Sequence, residues 1–218
     1  MQLCLPTSAY AENVELTSFL QSPSTIDTQC QYIRGIVVGA MVLRQQHHDS
    51  YGMSTQTLIL RRIATDTYPL DWELPGGGAD FDADRTLADV AARELWEETG
   101  LRAKRMVCPI RPDGPGEQQE QEQEMMNING DKSHHSTVSI FSDEEGDDWG
   151  IANFIVEVED LSRPVLIDPR EHVEWAWVTE QEVRDSALSG VGAKREKELK
   201  FVSEVMRRTI LEGFRIMA

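Results

Sequence analysis

The residues best suited to chemistry lie between Trp72 and Leu101. Trp72-Glu73-Leu74-Pro75 leads into Gly76-Gly77-Gly78, an acidic loop follows, and Thr86 to Thr99 reads as a helix closed by Gly100. Asp84 or Thr86 can cap its first turn by accepting an orphan backbone N–H, and glycine is favoured where the chain turns left-handed past the last turn. Glu94, Glu97 and Glu98 are spaced i, i+3, i+4 and therefore share one helical face. Leu87, Ala91 and Leu95 form the apolar stripe beside them, which must pack on a sheet. Three anions held so close repel one another. A hard divalent cation relieves the repulsion, because Mg²⁺ takes oxygen ligands and completes its shell with waters and phosphate oxygens. Arg93, adjacent to Glu94, is the internal cation that orients one carboxylate. An isolated acidic run of this kind is ordinarily a solvated helix face.

The wider stretch has a closer parallel. Arg93-Glu94-Leu95-Trp96-Glu97-Glu98-Thr99-Gly100-Leu101 resembles the second half of the Nudix box, Arg-Glu-aliphatic-any-Glu-Glu-any-Gly-aliphatic, with every defined position filled. The resemblance implies an α/β fold, a mixed β-sheet in an α/β/α sandwich. It also implies hydrolysis of the diphosphate bond in a nucleoside diphosphate linked to another moiety, with Mg²⁺, or alternatively Mn²⁺, as cofactor. Glu94, Glu97, Glu98 and Arg93 would then be catalytic, with Glu94, Glu97 and Glu98 as metal ligands, or with Glu94 as the base and Glu97 and Glu98 as the chief ligands. The first half of the box departs from the pattern. Counting back from Arg93, its glutamate position holds Arg85 and its glycine position Ala79. Gly77 takes the glycine role only if the loop Ala79–Asp84 carries an insertion, with Asp82 or Asp84 standing in for the glutamate. Arg85 is the best support for the alternative, a Nudix-fold module that binds a nucleotide or partner without turnover.

The elements that must hold this stretch can be read around it. Tyr32 to Leu43 is rich in β-branched residues and predicts a central strand, Gln45 to Ser54 a polar turn, and Thr57 to Arg62 its antiparallel partner. His47 and His48 fall in that turn with no third ligand nearby and read as solvated. Arg61 and Arg62, closing the second strand, are candidates to meet a phosphate. Gly76, Gly77 and Gly78 carry no side chain and allow backbone N–H groups or a substrate phosphate to come close. Ala103 to Ile110 and Trp149 to Glu159 predict further strands, and Val165 to Ile167 an edge segment. Glu171 to Val178 predicts a strand with Trp175 and Trp177 as core, and it resembles the late part of a Nudix domain. Glu171 or Glu174 could add a carboxylate to the metal cluster, and Glu174 is included in the expected set. Thr179-Glu180-Gln181-Glu182 is a capping box that opens a helix. A helix is expected over Glu182–Ser189, a joint at Gly190–Gly192, and a long amphipathic helix from Lys194 to Ile216.

Composition sets the frame. The chain of 218 residues suits one domain with a substantial core over residues 32–217, preceded by a lead-in over residues 1–31 in which Glu12 to Leu20 predicts a short helix. Residues 112–148 hold eleven Asp or Glu against one Lys, most of the net charge of −17, and read as an acidic low-complexity insertion too polar to order itself. His134 and His135 within it carry no separate signal. An acidic chain without a basic patch argues against nucleic-acid partners, including RNA-cap removal. No apolar run suits a bilayer and no signal-peptide pattern opens the chain. Cys4, Cys30 and Cys108 are scattered with no Cys-x-x-Cys pair, which argues against a zinc or disulfide framework and fits a cytoplasmic setting, the nucleus also being open. The expected partner is a small nucleoside diphosphate derivative. A homodimer is left open.

Overall fold

The computed structural model describes residues 33–48, 52–80, 83–111, 139–142, 146–188 and 197–218. The elements in chain order are β1 (Ile33–His48), β2 (Gly52–Arg62), β3 (Trp72–Glu73), β4 (Gly76–Gly78), α1 (Leu87–Thr99), β5 (Ala103–Ile110), β6 (Ser139–Ser142), β7 (Asp148–Val158), β8 (His172–Thr179), α2 (Glu180–Asp185), β9 (Ala187–Leu188), β10 (Lys197–Glu198) and α3 (Glu204–Ile216). Eight strands form one sheet along the path β3-β2-β1-β7-β5, with β4 added to β1, β6 to β7 and β8 to β2. Only the β1–β7 ladder among these is parallel, so the sheet is mixed. No helix among the described residues is long and apolar enough to cross a membrane.

Side-chain alternation along the strands divides the core into two layers. Leu58 and Leu60 of β2, with Phe154 and Val156 of β7, pack with Leu87, Ala91 and Leu95 of α1. Ile59 and Ile155, one step out of phase, face the other way and pack with Met206, Ile210 and Phe214 of α3. This is the expected α/β/α sandwich. The apolar stripe of α1 therefore lies on the sheet, and the acidic face beside it lies over β4.

Several local expectations change. β1 and β2 extend through the expected polar turn, pairing His48 with Gly52, and Gln45 and His47 are exposed along a hairpin that needs no core there. The expected insertion ends in structure: Ser139–Ser142 is β6, paired with β7 from Asp148 onward. Val165–Ile167 is not a strand. The Leu166 N–H instead donates to the Thr99 carbonyl at 2.9 Å while Val165 and Ile167 pack on the core. Trp177 joins that core, but Trp175 is 40% exposed. The capping box is present, and it starts α2 at Glu180 rather than Glu182, so that the helix ends at Asp185. The helix expected from Lys194 begins only at Glu204, where the Ser203 hydroxyl accepts from the Met206 N–H. Leu199 and Phe201 before it are buried at alternate positions, an extended pattern that packs beside Trp72. The helix expected at Glu12–Leu20, the joint at Gly190–Gly192, Cys4, Cys30, His134 and His135 lie outside the described residues.

β4 sits unusually close to β1. A Cβ on Gly76 would come within 2.3 Å of the Val38 carbonyl oxygen and 2.8 Å of Gly39 Cα, whereas one on Gly78 would meet open space. Gly76→Ala should therefore lower stability by roughly 1–3 kcal/mol, as overpacking against fixed backbone does. Gly78→Ala should stay within about 0.5 kcal/mol of the native chain. Urea midpoints of the two variants check this ordering.

Candidate active site

Helix α1 is fixed at both ends by its own sequence. Thr86 and Asp89 form a reciprocal capping box, and Gly100 closes the helix at φ 68°, in the left-handed region that glycine tolerates. Between these stops the helix presents Glu94, Glu97 and Glu98 toward the glycine strand β4. The cleft between them, of about 340 Å³, is also lined by Gly76, Gly77, Gly78, Arg62, Asp66, Glu171 and His172.

The absence of side chains on β4 has a specific use here. The Gly76 N–H donates to Glu98 Oε2 at 2.7 Å. A Cβ on Gly77 would lie 2.6 Å from the Glu94 carboxylate. Two carboxylates are thus seated directly against the backbone. Glu98 is 4% exposed, and burial pushes its carboxyl well above the ordinary value. Repulsion from Glu73, Glu94 and Glu171 adds to that shift, and the Gly76 N–H opposes it. Burial also raises Glu94, against the pull of the Arg93 charge. Glu97 is the exposed member, its side chain 57% accessible.

Arg93 ties the site together. Its Nε and Nη2 donate to the two oxygens of Asp84 at 3.1 and 2.7 Å, a bidentate clasp. Nη2 also donates to the Gly78 carbonyl at 2.9 Å, and Nη1 to Glu94 at 2.8 Å and Glu97 at 3.2 Å. The Asp84 bond is the chief reason its pKa is raised, burial working in the other direction. The carboxylate that Arg93 meets therefore belongs to Asp84, one residue before the position where the Nudix pattern wants glutamate. Arg85 is exposed and only its backbone N–H contributes, donating to Asp89.

A β-bulge sorts the remaining candidates. Along β2 and β8, Arg61 pairs with Glu174 but Arg62 pairs with His172, leaving Val173 extra. His172 is thereby turned onto the α1 face with Arg62, while Glu174 stays on the α3 face with Arg61. Glu174 is bound there by Arg61, at 3.4 Å, and by Lys197. The structure thus brings Arg62 and Gly76–Gly78 to the acidic helix, and it does not bring Arg61 or Glu174. The later carboxylate in the cleft is Glu171.

Glu73, Asp66 and His172 were missed as site residues by sequence reasoning. Arg62 is gripped by Glu73 and Asp66, each at 2.6 Å, and His172 Nε2 lies 3.2 Å from Glu73 and 3.8 Å from Glu98. Only the adjacency of His172 to Glu171 offered any signal. One ligand atom each from Glu98, Glu171 and His172 can lie within 4.8 Å of one another. Glu98 has no Lys or Arg within ion-pair distance among the described residues. A buried carboxylate without its own cation, crowded by others, is a donor set that fits a hard divalent ion.

Two substitutions separate the neighbours at 84 and 85. Asp84→Ala should cost about 1–3 kcal/mol, since it strips Arg93 of a bidentate partner in a half-buried setting. Arg85→Ala should change stability by less than about 0.5 kcal/mol. Thermal unfolding of both variants reads the difference.

The geometry agrees with what the chain is similar to. The sequence model of the NUDIX domain matches residues 34–199. No curated protein matches the sequence. Among solved structures, the Nudix hydrolase RenU of M. smegmatis superposes with a TM-score of 0.52 at 15% identity, covering 85% of this chain and 87% of that one. The NUDIX domain of Shewanella oneidensis NrtR, solved in complex with ADP ribose, gives 0.51 at 14% identity, covering 90% and 99%. At such identities the superpositions speak for the fold, and the match over residues 34–199 speaks for descent: the chain belongs to the Nudix family.

Proposed function

We propose that the protein is a pyrophosphohydrolase that uses Mg²⁺, with Mn²⁺ as the alternative ion, to cleave the diphosphate of a nucleoside diphosphate derivative. The observation that carries this reading is Glu98: a carboxylate buried against the Gly76 N–H, with no Lys or Arg within ion-pair distance among the described residues, and crowded by Glu94 and Glu171. Glu98 and Glu171, with the more exposed Glu97, would hold the ion. When bound, such an ion would supply charge neutralisation at the diphosphate oxygens and a lowered pKa for the attacking water. Glu94 accepts the proton of the attacking water. Its carboxyl is raised by burial, which moves it toward the range where a base works, and Arg93 fixes its direction. Gly77 and Gly78 leave the cleft wall open to diphosphate oxygens, and Arg62 supplies the cation that faces them. The setting we propose is the cytoplasm, in keeping with the dispersed cysteines.

The rival reading, binding without turnover, drew its support from Arg85. The clasp of Arg93 by Asp84 supports catalysis instead, because it keeps the arginine oriented without a glutamate at 85. ADP-ribose, the ligand of the NrtR domain, belongs first on a substrate panel alongside dinucleoside polyphosphates and NADH. The native protein should release a nucleoside monophosphate from one or more of these, and only with the divalent ion present. Glu98→Gln should lower turnover by roughly two to three orders of magnitude, the scale seen when one charge-stabilising group is removed. Native-level turnover in Glu98→Gln would refute the proposed role.

A further inference from the structure

The five tryptophans are not equally engaged. Trp72 has Arg61 and Lys197 near its ring, Trp96 has Arg102 at 4.8 Å, and Trp177 has Arg44 at 4.3 Å. Trp149 packs its ring against Gly35. The Trp175 indole has no cation, hydrogen bond or ring contact among the described residues, and the residue is 40% exposed. Its place in the sheet makes this exposure informative. Trp175 pairs with Leu60, and His172 pairs with Arg62, two residues further along β2. Leu60 and Arg62 share the α1 face by strand alternation, so the indole stands on the same face as the acidic cleft. The separation along the strand is about 7 Å, two residues of strand rise. That span is of the order of the ribose that separates a nucleotide's phosphates from its base. Trp177, the next indole along the face, is already covered by Arg44, whose guanidinium is in turn held by Gln56.

We infer that Trp175 is the surface on which the base of a nucleoside diphosphate substrate stacks. The inference rests on the reading that the acidic cleft takes the diphosphate. An indole face accepts any base by its π-system, so Trp175 favours substrates that carry a base and does not choose among bases. It is a binding residue and takes no part in proton transfer.

The test compares Trp175→Ala and Trp175→Phe with the native protein. Trp175→Ala should raise KM for base-bearing substrates roughly 5- to 100-fold, the range expected for losing one stacked base, and leave kcat within about twofold. Trp175→Phe, which keeps an aromatic face, should recover most of the loss. Inorganic pyrophosphate, which carries no base, should inhibit all three proteins equally. A second measurement needs no turnover: ADP-ribose should quench tryptophan fluorescence in the native protein, and that quench should vanish in Trp175→Phe. Unchanged KM in Trp175→Ala, or a fall in kcat alone, would overturn the stacking role while leaving the hydrolase reading intact. A change of oligomeric state in Trp175→Ala with KM unaltered would overturn it as well, assigning the indole to an interface. Absence of hydrolysis with a Trp175-dependent quench would uphold the stacking role and refute the hydrolase.

Discussion

The hydrogen bond from the Gly76 N–H to Glu98 is the contact on which the site depends. It draws a carboxylate out of water and seats it against a strand with no side chains to intervene. Withdrawing an anion from water is costly, and a single backbone N–H repays only part of that cost. The remainder shows in the carboxyl of Glu98, which burial lifts well above its ordinary value. The sign of the linkage follows. A carboxyl whose pKa is higher in the folded chain than in the unfolded one makes folding less favourable as pH rises from its ordinary range through its folded value. Above the ordinary carboxylate range the protein alone therefore bears an unfavourable contribution at Glu98, and a cation that binds only the folded state relieves it. The tension at Glu98 and the capacity to gather a metal are one property.

The rest of the architecture preserves that contact. Gly76 must be glycine because β4 lies against the β1 backbone, and a Cβ at Gly77 would push the Glu94 carboxylate from its seat. Arg93 holds the helix to β4 through the Gly78 carbonyl and to the preceding loop through Asp84. One guanidinium thereby fixes strand, loop and helix at a single point, which a lysine with one donor position cannot do. Beneath it, Leu87, Ala91 and Leu95 lock the helix to the sheet. On the far wall, the bulge at Val173 turns His172 inward beside Arg62, while Glu174 stays on the other face with Arg61.

Much of this was legible in the sequence, and the part that was not has physical reasons. The helix, its caps and its three glutamates follow from spacing alone, since a period of 3.6 decides which side chains are neighbours. Strands β5 and β7 were equally plain from their apolar and β-branched runs. Glu174 misled because a bulge reverses the face of every residue beyond it, and no residue type marks its position. The over-long C-terminal helix misled for another reason. Leu199 and Phe201 fit a helical stripe as well as an extended one, and only Ser203 marks the start. Asp84 was open as a stand-in for the missing glutamate, but the contact that selects it depends on the loop path. Trp175 shows the limit of periodicity: sharing a strand face with Trp177 did not bury it, because β8 pairs with β2 on one side only among the described strands.

The most direct test of the account is the thermal stability of the native protein and of Glu98→Gln at neutral pH, each measured across a range of Mg²⁺ concentration. If the buried carboxylate gathers the ion, Tm of the native protein climbs with Mg²⁺ by mass action, and that of Glu98→Gln, which has no anion to relieve, starts from a similar or higher value and climbs far less. Equal Mg²⁺ responses in the two proteins, or none in either, would contradict it.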